Sequence, residues 1–81
     1  FRRSAEKGNP VAQNRLAHAY AAGLGTKHDP VEAAKWHMLS REFGVSDFRL
    51  DKLLSGLSPD VRSKAQQSAE LWQKSTDALL Q

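Results

Sequence analysis

The sequence predicts an all-α fold made of antiparallel helix hairpins, and three observations carry that reading. Each of the three prolines follows a residue able to cap a helix: Asn9-Pro10, Asp29-Pro30 and Ser58-Pro59. Proline at the first helical position loses no hydrogen bond, and its fixed φ suits the helix. Glycines stand where the helical patterns stop, at Gly8, Gly23, Gly44 and Gly56. Between these marks the apolar residues recur at helical spacing and nowhere alternate as strands do.

Phe1 to Lys7 reads as the last turns of a helix, closed by Gly8, with no capping residue before it. This stretch is expected to be the end of a preceding repeat helix, in a C-terminal piece of a longer protein or at a mature end left by cleavage. The first complete helix is predicted from about Pro10 to Ala22. At 100° per residue, Ala12, Leu16, Ala19, Tyr20 and Gly23 share one face, while Asn14 and His18 point away. The Gly23-Leu24-Gly25 turn follows. No strand precedes it, so it reads as a tight interhelix turn and not as a phosphate cradle.

The second helix is predicted from about Pro30 to Phe43. It carries two apolar stripes, Ala33, Trp36, Ser40 and Phe43 on one side and Val31, Ala34 and Met38 on the other. Lys35 and Glu42 lie between them, toward water. A helix sticky on two sides needs two neighbours, so it is expected to be an inner helix. After Gly44, Ser46 is the expected cap of a short third helix whose Leu50, Leu53, Leu54 and Leu57 form one apolar face. The last helix runs from Ser58-Pro59 to about Leu79, with Val61, Ala65, Ser68, Trp72 and Leu79 on a single stripe. Its remaining surface is polar, as the end of a helical stack requires.

Eighty-one residues allow one small domain, and the absence of cysteine excludes disulfides, thiolate zinc sites and a cysteine nucleophile. The net charge of +3 comes from basic and acidic residues mixed along the sequence. That pattern describes a solvated surface and gives no expectation of nucleic-acid binding, which clusters basic charge and interleaves aromatics. The apolar runs are too short to span a bilayer.

A shift of 36 residues superposes Ser4 on Ser40, Glu6 on Glu42 and Gly8 on Gly44, a period typical of helical-hairpin arrays. The run Ala5-Glu6-x-Gly8, Ala12-Gln13, Leu16-Ala17, Tyr20, Gly23-x-Gly25, Asp29, Ala33, Trp36 and Glu42-x-Gly44 resembles the Sel1-like repeat, a relative of the tetratricopeptide repeat. The resemblance covers residues 5–44, about half of the sequence. It departs at Thr26, where the family usually has Val, and fails after Gly44, where Phe48 and Lys52 replace small and Leu residues. The implied organisation is 1–8 as the end of a preceding repeat helix, 9–44 as a repeat hairpin, and 45–81 as a degenerate hairpin acting as a C-terminal cap.

The resemblance implies an α/α superhelical stack, a TPR-like solenoid that serves as a scaffold for other proteins or as an accessory subunit of a larger, membrane-attached assembly. Proteins of this kind are frequent in bacteria and often exported, which points toward the periplasm. About three hairpins are needed to stabilise such a stack. This sequence holds about two and a stub, so it is expected to lean on preceding helices or on a partner.

Candidate sites are few. His18, His28 and His37 show no His-Glu-x-x-His spacing, so no metal site is expected. Ser4 and Lys7 have the Ser-x-x-Lys spacing of some acyl enzymes, and some Sel1-like proteins are linked to penicillin binding or hydrolysis. The companion Lys-Thr-Gly and Ser-Asp-Asn motifs are absent. A cell-wall or β-lactam hydrolase is therefore the alternative reading, and neither a catalytic residue nor a cofactor is assigned. Trp36 and Trp72 lie on apolar stripes and read as core residues. The expected partner-binding residues are Asn14, Arg15 and His18, on the concave face made by first helices, and Phe48, which lies off the leucine face of the third helix and so either meets the preceding hairpin or reaches a partner.

Overall fold

The computed structural model describes Arg3, Ala5 and residues 7–80, the last four of these as backbone only. The Ser-x-x-Lys spacing therefore falls partly outside the described residues, at Ser4. Four helices follow in order: α1 Pro10–Ala22, α2 Pro30–Glu42, α3 Phe48–Ser55 and α4 Pro59–Leu80. The described residues contain no strand. Among the described residues, no helix is long and apolar enough to cross a membrane.

The proline entrances work as capped helix starts. The Asn9 side chain accepts from the N–H groups of Val11 and Ala12 at 3.0 and 3.1 Å. Asp29 repeats this with Val31 and Glu32, both at 3.1 Å. Ser58 accepts from Val61 N–H at 3.3 Å. Each oxygen satisfies donors that an uncapped first turn would leave orphaned.

Gly23 ends α1 in the left-handed region, with φ +69°, and Asp29 N–H returns to the Tyr20 carbonyl at 3.1 Å. The turn is thereby closed onto the helix it leaves. Gly23→Ala would find steric room, since the nearest atom to an added Cβ is 3.6 Å away. The left-handed backbone should still cost about 1–2 kcal/mol, read as a lower urea midpoint with an unchanged slope.

The 36-residue shift has a backbone counterpart. Lys7 and Gly8 N–H groups bond to the Arg3 and Ala5 carbonyls, and Phe43 and Gly44 repeat this with Leu39 and Arg41. Gly8 and Gly44 have φ of +92° and +94°. Two helix ends one period apart thus terminate in the same way.

α2 is the inner helix and packs against both α1 and α4. One side joins a core of Ala5, Ala12, Leu16, Ala17, Tyr20, Trp36, Leu39, Leu50 and Ala69. The other side, through Ala34, meets Leu54 and Ala65, with Val31, Met38 and Leu57 packed around them. Trp36 is 3 % exposed and meets Trp72 edge to face, with ring centroids 5.9 Å apart. Its indole N–H donates to Glu32 Oε2 at 3.1 Å, and the Lys35 ammonium stands 4.5 Å above the ring. The polar edge of the ring is therefore satisfied while its faces stay apolar.

Several burial expectations need correction. Phe43 and Leu53 are each 49 % exposed. Phe43 follows the last turn of α2 as its C-cap, beyond the stripe it would have continued. α3 turns only Leu50 and Leu54 inward, because an eight-residue helix packs a narrow line and not a wide face. Leu39, Gln13 and His37 are buried instead. The Gln13 side-chain amide donates to the Ala5 carbonyl at 3.1 Å, which ties α1 to the turn before it. On α4, Ala69 is buried beside Ala65, and the Leu79 side chain lies outside the described residues.

The Cα radius of gyration is 11.8 Å. A compact protein of this length is expected at about 12 Å. The described helices form a small packed globule, in which α2 packs against α1 and α4.

Candidate functional site

α3 is held to the hairpin by two carboxylates one turn apart. Asp47 stands just before the helix and is its N-cap, where the sequence pointed to Ser46. Its Oδ1 accepts from Leu50 N–H at 3.1 Å. Its Oδ2 accepts from Asn14 Nδ2 at 2.9 Å and lies 2.6 Å from His18 Nε2. Serine has one oxygen and could not both cap α3 and reach α1. Asn14 and His18 are four residues apart on α1, so they rise on one face and converge on the same oxygen.

The second carboxylate is Asp51. Its Oδ1 lies 2.6 Å from His37 Nε2 and 3.3 Å from Arg41 Nη1. His37 and Arg41 are again four residues apart, this time on α2. A carboxylate can only accept, so in both pairs the histidine Nε2 carries the hydrogen. Nδ1 of the buried His37 has no hydrogen-bond partner among the described residues.

Burial of Asp47 raises its pKa, but the hydrogen bonds from Asn14, the Leu50 N–H and His18, with the charge attraction of His18, outweigh that effect. The carboxyl is held well below the ordinary carboxylate range. It is the fixed anion at the junction of α1 and α3.

Phe48 follows Asp47 directly and is 80 % exposed. It does not bury itself against the preceding hairpin, one of the two fates its position in the sequence left open. Of the expected partner-binding residues, Asn14 and His18 are brought together at Asp47, Phe48 projects beside that junction, and Arg15 is exposed on α1. Sequence reasoning misses Asp47 itself. Its contacts with α1 span about thirty residues of sequence, and only its capping role leaves a local signal.

A cleft of about 220 Å³ lies between α2, α3 and α4. Ser55 and His37 both line it. Ser55 donates its hydroxyl hydrogen to the Lys52 carbonyl at 2.7 Å, and His37 Nε2 is taken by Asp51. Among the described residues, no hydrogen bond joins the Ser55 hydroxyl to a histidine or a carboxylate. Among the described residues, no group of three or more His, Cys, Asp or Glu side chains could hold a metal ion.

No family model, curated protein or solved structure matches this sequence. The functional reading therefore rests on the residues and their geometry.

Proposed function

We propose that this protein is a non-catalytic protein-interaction module, serving as a docking scaffold or as an accessory subunit of a larger assembly. We take its hairpins to be Sel1-like units that continue into an α/α superhelical stack. Support for the repeat comes from the matching glycine turns and backbone hydrogen bonds 36 residues apart.

The observation that carries the docking reading is Phe48. Phe48 is the most exposed of the large apolar side chains among the described residues, at 80 %, so its ring adds little to the core. Beside it, Asp47, Asn14 and His18 are locked by mutual hydrogen bonds, so the ring stands on a pre-ordered base. A rigid aromatic next to polar groups resembles the anchor residues of protein interfaces, where little entropy remains to be lost on binding.

Phe48→Ser should change folding stability by less than about 0.5 kcal/mol, since the ring touches little of its own protein. It should abolish stoichiometric recovery of the protein partner in affinity capture from the native host. Equal recovery by wild type and variant would refute this docking face.

A further inference from the structure

The cleft between α2, α3 and α4 holds an imbalance of charge. Arg41 and Arg62 bring two guanidinium groups and Asp51 one carboxylate, which leaves one positive charge in excess before His37 is considered. Arg41 is engaged with Asp51 at 3.3 Å. The Arg62 guanidinium makes no hydrogen bond or ion pair with any described residue. It stands exposed in the first turns of α4, so its planar fork of donors faces solvent at the mouth of the cleft. Met38 and Leu54 supply the apolar part of the lining.

We propose that this cleft receives a carboxylate of the protein partner, with Arg62 as its principal ligand and Arg41 as the second. The chemistry selects a singly charged planar anion. A guanidinium fork matches a carboxylate in two parallel hydrogen bonds. A monoanion cancels the excess charge of the lining, whereas a dianionic phosphate would leave a negative surplus beside Asp51. Met38 and Leu54 accommodate the short methylene stem that carries such a group. The carboxylate is that of a Glu or Asp side chain, whose methylene stem lies against Met38 and Leu54. This inference rests on the docking reading and gives the partner a chemical requirement. The cleft shares α3 with Phe48, so one partner segment can engage both.

The test is NMR titration of this 81-residue chain, following the arginine Nε–H signals. Four probes are compared: N-acetyl-glutamate α-amide, N-acetyl-leucine with a free carboxylate, the neutral N-acetyl-glutamine amide, and inorganic phosphate. Saturable shifts at Arg62 and Arg41 with either carboxylate, and none with the neutral amide, are expected. The glutamate probe is expected to bind more tightly, and tighter binding of N-acetyl-leucine would overturn the side-chain source.

Arg62→Gln should weaken binding about tenfold or more, the loss expected for charge-assisted hydrogen bonds, and Arg62→Lys should recover part of it. Absence of shifts at Arg62, wild-type affinity in Arg62→Gln, or tighter binding of phosphate than of either carboxylate would overturn the proposal. The titration uses no protein partner, so its failure leaves the Phe48 docking face standing, and loss of that face leaves the titration readable.

Discussion

Trp36→Ala is expected to lower stability by about 3–5 kcal/mol, the usual cost of emptying a buried aromatic site. The indole sits where α1, α2 and α4 share one core, against Trp72 and near Leu39 and Leu50. Its neighbours include several alanines, which cannot swing inward to fill the space. A domain of this size has a total stability of about 5–15 kcal/mol, so the loss is a large fraction of the whole. Thermal unfolding by circular dichroism should show a midpoint lower by more than about 10 °C. Trp36→Phe should recover much of the loss, because it restores most of the aromatic volume, and forfeits the hydrogen bond to Glu32. A drop below about 1 kcal/mol in the alanine variant would place Trp36 outside the core.

Asp47→Ala is the second large effect, at about 2–4 kcal/mol. It removes the cap of α3 and leaves Asn14 and His18 without their common acceptor. Asp47→Asn should be milder, because asparagine also caps helices, although it loses the charge.

The same residue sets an acid limb. The folded-state pKa of Asp47 is depressed, so the unfolded protein takes up its proton first as pH falls. Stability from this group is therefore complete above the unfolded value of about 3.9 and is lost progressively below it, toward the much lower folded value. Urea unfolding between about pH 5 and pH 2 should show a limb that flattens in Asp47→Asn. An identical limb in the variant would assign acid sensitivity to other carboxylates.

The contrast between Asp47 and Asp29 explains how far the sequence could be read. Asp29 acts on its own helix start, next to Pro30, and local chemistry marks it fully. The same holds for Asn9, Ser58 and the glycine turns, so the number and order of the described helices were legible. Asp47 acts across the fold on His18, and no periodicity encodes such a pair. Gln13 and His37 escape for a related reason. They are polar residues buried because a carbonyl and a carboxylate happen to meet them. Pattern rules treat such residues as solvent-facing.

Helices rich in alanine also give weak faces. This is why Leu39, between the two assigned stripes of α2, escapes notice. Phe43 and Leu53 fail in the opposite direction. Their hydrophobicity fits a face, but α2 ends first and α3 is too short to bury it. Phe48 stands out because it lies off the leucine line of α3, and its exposure follows from that placement.

Site-specific photo-crosslinking in the native host tests the docking platform most directly. A benzophenone amino acid is placed at Phe48 and, as a control, at Gln67 on the exposed side of α4. A discrete protein adduct at position 48 and none at position 67 is the expected result. No adduct at position 48, or the same adducts from both positions, would contradict it.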